Sequence, residues 1–133
     1  MVVTGGSRGI GAATARMAGA RGYSVCVNYV RDRGAAEDVA EAINRSGGRA
    51  IALHADVSSE ADVARLFEAV DAQLGPVAVL VNNAGILEQQ SRVEHMDAAR
   101  INRILAINVT GSFLCAREAI RRMSRQHGGS GGR

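Results

Sequence analysis

The residues best suited to chemistry stand at a turn near the start of the chain, Thr4-Gly5-Gly6-Ser7-Arg8-Gly9-Ile10-Gly11. It falls between an apolar strand ending in Val2-Val3-Thr4 and a helix pattern beginning near Ile10. In that context Gly5 allows a tight turn, Gly9 lets backbone approach a ligand, and Gly11 lets the helix pack near the strand. The unpaired N–H groups at the helix start, at the positive end of its dipole, would face a pyrophosphate. No Gly-Lys-Ser/Thr follows, which sets aside the nucleotide-triphosphate loop. Metal chemistry has little support, because His54, His95 and His127 are isolated and lack ligand spacing. A serine hydrolase is equally unsupported, since no Gly-x-Ser-x-Gly elbow occurs.

Alternating strand and helix patterns must position that turn, and they predict βαβ units around a parallel sheet. Ile10 to Arg21 reads as a helix with Ile10, Ala13, Thr14 and Met17 inward, ended by Gly22. Ser24 to Tyr29 reads as the second strand. Residues 34–46 read as a helix with Val39, Ala42 and Ile43 inward. Arg49 to Ala55 reads as the third strand. Ser58 or Ser59 caps the next helix, with Asp62 placed for a capping box and Val63, Leu66, Phe67, Val70 and Leu74 on the inner face. After Gly75-Pro76, Val77 to Val81 is an apolar run expected to be buried on both faces. Residues 88–100 read as polar and partly helical. A long helix is expected from about Ile101 to Gln126, with Ile101, Ile104, Leu105, Phe113, Ala116, Ile120 and Met123 as its apolar face.

The chain has 133 residues, enough for one domain. It is 47% hydrophobic and 22% charged, enough to bury a core. All 16 basic residues are arginine, and the net charge is only +3. The arginines are scattered, so a nucleic-acid partner is not expected. The cluster from Arg117 to Arg125 reads as a solvated helix face. Cys26 and Cys115 read as buried free thiols in a reducing compartment, which with no apolar run of spanning length points to a cytoplasmic protein without a membrane partner.

The spacing Gly5-x-x-x-Gly9-x-Gly11 resembles the fingerprint of the short-chain dehydrogenase/reductase family. Three more of the family's motifs follow in order: Asp56-Val57 after the third strand, Asn82-Asn83-Ala84-Gly85 after the fourth, and Asn108 in the long helix. The stretch from Asn108 to Cys115 is similar to the glucose 1-dehydrogenase or 3-oxoacyl carrier-protein reductase subgroup. The resemblance implies an α/β Rossmann fold, a doubly wound parallel sheet of strand order 3-2-1-4 with later strands absent. It implies that Gly5, Ser7, Arg8, Gly9, Ile10 and Gly11 line the pyrophosphate and adenosine ribose of a nicotinamide dinucleotide. Asp56 and Val57 would hold the adenine, and Asn83, Ala84 and Gly85 would pass along the ribose. Asn108 would be the catalytic asparagine, which helps hold a water in the proton relay. Residues read alone also single out Asn108, an amide on the helix's apolar face that needs partners.

An NAD site usually carries an acid about 20 residues past the glycine turn. Tyr29, preceded by Asn28, stands there instead, while Arg8 and Arg31 are placed to meet a 2′-phosphate. NADP(H) is therefore favoured over NAD(H). The family's reaction also needs a tyrosine, a lysine four residues later and an upstream serine. The chain has no lysine, and its only tyrosines are Tyr23 and Tyr29. The reading is thus the cofactor-binding part of an oxidoreductase of alcohols, ketones or sugars, inactive by itself. A catalytically dead nucleotide-binding module or a nonfunctional gene fragment are the alternatives. Residues 128–133 read as a Gly/Ser-rich tail leading to a missing strand, and the fourth strand as an exposed edge. Full-length relatives are expected to form homo-oligomers through the long helix.

Overall fold

The computed structural model describes residues 1–133. Four parallel strands, β1 (Val2–Val3), β2 (Ser24–Tyr29), β3 (Arg49–His54) and β4 (Leu80–Val81), form one sheet in the order β3-β2-β1-β4. Three helices connect them: α1 (Gly9–Ala20), α2 (Arg33–Arg45) and α3 (Glu60–Leu74). After β4 a helical run comprises α4 (Ala98–Leu105), a π turn over Ala106–Thr110 and α5 (Gly111–Met123). This is the α/β Rossmann-like arrangement expected from the motif order.

Successive residues of the inner strands point to opposite faces, so each face of the sheet has its own core. Val2 and Cys26 join Val63, Leu66, Phe67 and Val70 of α3 and Cys115 and Ala119 of α5. Val3, Val25 and Val27 join Ala12, Ala15 and Ala18 of α1 and Ala36, Val39 and Ile43 of α2. Ser59 caps α3, its hydroxyl accepting from the Asp62 N–H at 3.3 Å, so of the two candidate serines Ser59 is the cap.

Five expectations about burial are corrected. In α1 the inward residues are Gly11, Ala12, Ala15, Ala18 and Gly19, whereas Ile10 and Met17 are exposed. Small residues win because α1 lies close to α2: a Cβ on Gly19 would stand 2.5 Å from Ile43 Cγ2. Ala42 of α2 is only half-buried, with Ala36 and Ala40 taking the inner positions beside Val39 and Ile43.

The run after β4 starts at Ala98 and its last turn ends at Met123; it buries Gly111, Cys115, Glu118 and Ala119. Ile101, Leu105, Phe113 and Ile120 of the expected inner face are exposed. Gly111 sets this orientation, because a Cβ there would lie 2.8 Å from Val57 Cγ2.

The arginine cluster is not simply a solvated face. Arg122, with its side chain 18% exposed, pairs with Asp71 of α3 at 2.5 Å and Glu118 at 2.9 Å, and lies over the Phe67 ring at 5.3 Å. Finally, only Leu80–Val81 of the apolar run 77–81 joins the ladder, and both residues are half-buried. The edge of β4 away from β1 is partly covered by the last residue: Leu80 N–H donates to Arg133 O, and Arg133 N–H donates to Ala78 O.

Candidate functional site

The glycine turn is held from beneath by a buried amide. Asn28 Oδ1 accepts from Gly5 N–H at 3.2 Å, and its Nδ2 donates to Ala55 O at 2.9 Å. Gly5 and Gly9 have φ of +60° and +55°, a region that favours glycine. A Cβ on Gly9 would meet nothing within 4 Å, so this backbone opens directly onto a cleft. Arg8 precedes α1 without a side-chain cap, and the first turn holds no acid, so the helix-start donors are left for a ligand.

A second set of bonds joins this turn to the exit of β4. The Thr4 hydroxyl accepts from the N–H groups of Asn83 and Ala84, each at 3.0 Å. The Asn83 amide donates to Thr4 O at 2.9 Å and Gly5 O at 3.0 Å. Two loops from non-consecutive strands are thereby tied together by four hydrogen bonds.

The resulting cleft has a volume of about 460 Å³ at the C-terminal ends of the strands. The turn contributes Gly5, Ser7, Arg8, Gly9 and Ile10; β2 and its exit contribute Tyr29 and Arg31. Asp56 and Val57 line it from beyond β3, and Asn83, Ala84 and Gly85 from beyond β4. Asp56 Oδ1 accepts from the Ser58 N–H at 2.9 Å and hydroxyl at 2.7 Å, which fixes the carboxylate at the wall. The Asp56 N–H donates to Asp62, and this bond, with lesser help from Ser59 and Arg65, holds the Asp62 carboxyl below its ordinary range.

Three of the anticipated residues stand behind the cleft instead of lining it. Asn28 is fully buried beneath the turn. Gly11 is buried where a Cβ would be 2.5 Å from both Gly5 O and Asn83 Nδ2. Asn108 sits in the π turn, its amide paired twice with Ile86, accepting from N–H and donating to O at 2.8 Å each. His54, at the end of β3, does not line the cleft and meets the Tyr29 ring edge-on at 5.6 Å.

Val30, Asp32, Ile86, Arg103 and Ile107 complete the wall and were not anticipated. Asp32 qualifies the expectation of an acid-free site. It lies three residues past Tyr29 and caps α2, accepting from Ala35 N–H at 2.9 Å. A helix-start rule applied to residues 32–35 marks it as the α2 cap but not as part of the cleft wall. Ile107 and Arg103 are one residue and five residues before Asn108, spacings that a helix containing a π turn brings to one side.

The two thiols take no part. Burial pushes Cys26 up to about 12 and Cys115 up to about 11, so both stay protonated and inert. No helix is long and apolar enough to cross a membrane.

Comparison with known proteins agrees with this geometry. The family model described as short chain dehydrogenase matches residues 1–130. An uncharacterized oxidoreductase of Escherichia coli K12, YgfF, is 53% identical over 98% of this chain and 53% of its own length. The cis-4-hydroxycyclohexanecarboxylate dehydrogenase of Sinomonas cyclohexanicum is 42% identical over 92% of this chain and 49% of its own. Glucose 1-dehydrogenase 2 of Bacillus subtilis is 35% identical over 95% and 49%. A double phenylalanine variant of the Serratia marcescens short-chain dehydrogenase/reductase superposes with a TM-score of 0.87 at 35% identity, covering 92% of this chain and 49% of that one. The chain thus spans about half the length of the curated relatives it matches. Glycine turn, joined loops, strand order and sequence all agree, and the chain belongs to the short-chain dehydrogenase/reductase family.

Proposed function

We propose that this chain is the cofactor-binding part of an NADP(H)-dependent oxidoreductase acting on an alcohol, ketone or sugar. The observation that carries the reading is the cleft in which an uncapped helix start, two unpaired arginines and the Asp56 carboxylate converge. The nicotinamide supplies hydride when bound. The protein's part is to hold and orient it. Helix-start N–H groups and the Gly5–Gly9 backbone bind the pyrophosphate. Asp56 accepts from the adenine amino group, with Val57 against the ring. Asn83, Ala84 and Gly85 guide the ribose, and Asn108 steadies that loop through Ile86.

The preference for NADP(H) rests on Tyr29, Arg8 and Arg31. Tyr29 places no carboxylate at the strand end, and neither arginine is paired with an acid, so both are available to a 2′-phosphate. Asp32 is engaged as the α2 cap. The 133 residues alone turn over no substrate, because without lysine there is no Tyr-x-x-x-Lys pair to move the proton. The same observation favours, as a second reading, a nucleotide-binding module that does no chemistry.

Residues Ile101, Leu105, Val109, Phe113 and Ile120 form an exposed apolar stripe, which we assign to subunit contact in a homo-oligomer. Cys26 and Cys115, both buried and free, suit the reducing cytoplasm. Fluorescence titration of the chain with NADPH and NADH tests the cofactor assignment. NADPH is expected to bind at least about tenfold tighter, the worth of one charge-assisted contact. Tighter binding of NADH overturns the preference, and saturable binding of neither overturns the site.

A further inference from the structure

The cleft's arginines are unequally employed. Arg8 and Arg31 have no carboxylate within ion-pairing distance, whereas Arg103 Nε lies 3.2 Å from Glu88 Oε1. Glu88 also lines an adjoining hollow of about 390 Å³, and Arg8 and Arg31 lie on the wall of that same hollow. One carboxylate therefore stands between a guanidinium that holds it and two that are free.

The backbone keeps Glu88 at this post. Its φ is +54°, and it is the only residue other than glycine in the left-handed region. Such a conformation persists where neighbours over-determine it. Here Asn108 clamps Ile86 by two hydrogen bonds and the Arg100 guanidinium donates to Gln89 O, so the residues before and after are both pinned to the helical run. Asn108, Arg103 and Arg100 thus grip residues 86, 88 and 89 in antiparallel order.

We propose that Arg103 is a positioning residue: by holding Glu88 it keeps Arg8 and Arg31 free for a phosphate-bearing ligand. Released from Arg103, the Glu88 carboxylate either bridges to Arg8 or Arg31 across the hollow or remains as an uncompensated negative charge at the mouth. Each outcome weakens binding of an anion. The inference rests on the dinucleotide reading above and assigns Glu88 and Arg103 a role in it.

The side chains of Arg103 and Glu88 are 53% and 32% exposed, so solvent screens the pair and the effect is modest. A double-mutant cycle on the full chain, read by NADPH titration with inorganic pyrophosphate as a second probe, tests the idea. Arg103→Met is expected to weaken both probes about fivefold at low salt, the upper worth of a partly exposed ion pair, and less at high salt. Glu88→Gln is expected to bind NADPH as tightly as the parent or tighter. The double variant should match Glu88→Gln, because Arg103 has nothing left to restrain. A double variant as weak as Arg103→Met overturns the proposal and makes Arg103 a direct ligand contact. Weaker binding by Glu88→Gln, which leaves Arg103 in place, overturns it independently of how Arg103→Met folds. A parent chain that binds neither probe overturns both this inference and the site; a parent that binds with an additive cycle overturns the inference alone.

Discussion

The two faces of the sheet close by different means. On the α1–α2 face contact is made by backbone and small side chains: Gly11 against the turn, Gly19 against Ile43, and alanines over Val3, Val25 and Val27. The ion pairs within α2, Arg33–Glu37 and Arg45–Glu41, are exposed and fall within one helix. On the α3–α5 face larger residues, Leu66, Phe67 and Val70, fill the space, and charges cross between helices through Arg122–Asp71 and Arg117–Glu60. The first face is tied directly to the cleft, since Gly11 packs on the atoms that form it. The second supports the cleft through Val57 beneath Gly111 and through Asn108. Close backbone packing gives geometric accuracy and leaves no room for added atoms. Side-chain and ionic closure is more tolerant of change and carries charge sensitivity instead.

The sharpest way to break this contrast is a Cβ on the tight face. Gly11→Val would drive atoms into Gly5 O and Asn83 Nδ2, and a loss of about 3 kcal/mol is expected from overpacking, together with loss of nucleotide binding. Urea unfolding and NADPH titration would reveal it. Unchanged stability would mean the turn yields, and the contrast between the faces would fall.

The ionic face should respond to acid. Burial alone would raise the Glu118 carboxyl, but the hydrogen bond from Arg122 and the charges of Arg121, Arg122 and Arg117 outweigh it and hold the group below its usual range. A lowered folded-state value means the contribution is complete above the unfolded carboxylate value of about 4.3 and is lost as pH falls through the folded value. Glu118→Ala should therefore cost about 1–2 kcal/mol near neutrality, discounted because Arg122 keeps Asp71, with the gap to the parent closing at acid pH. Denaturant curves across the acid range would measure this, and a gap independent of pH would assign the effect to packing.

The smallest effect is expected outside both cores. Phe113 is 74% exposed, so Phe113→Ser should leave monomer stability within about 0.5 kcal/mol. Sedimentation at several concentrations should show weaker self-association, and undiminished association would move the subunit contact elsewhere.

Much of the fold was legible because its signals are local. Gly22, Gly47 and Gly75 mark helix ends at φ near +84° to +88°, and the capping pair Ser59 and Asp62 marks a helix start. The period of α3 is legible because its buried residues, Val63, Leu66, Phe67 and Val70, are all apolar. In α1 and α5 the same hydrophobic rule picked the wrong side, because helices pressed close to a neighbour bury Gly, Ala and Cys and leave larger residues outside. The cleft was legible along the glycine turn and the strand exits, where motif residues are contiguous. Arg103, Ile107 and Asp32 were not, because their membership depends on how a helix start or a π turn happens to face a loop from another part of the chain.

The order of the elements and the glycine turn follow from residue types and short spacings, since turns and caps are set by backbone constraints within a few residues, whereas Asp56 was marked by the family resemblance. Tertiary structure alone decided that Asn28 lies beneath the turn and outside the cleft, that Asn108 spends its amide on Ile86, and that Glu88 is shared between Arg103 and a hollow faced by Arg8 and Arg31. The reason is physical: a polar side chain's role is set by the donors and acceptors that folding brings within about 3 Å of it, and those come from residues distant in the chain.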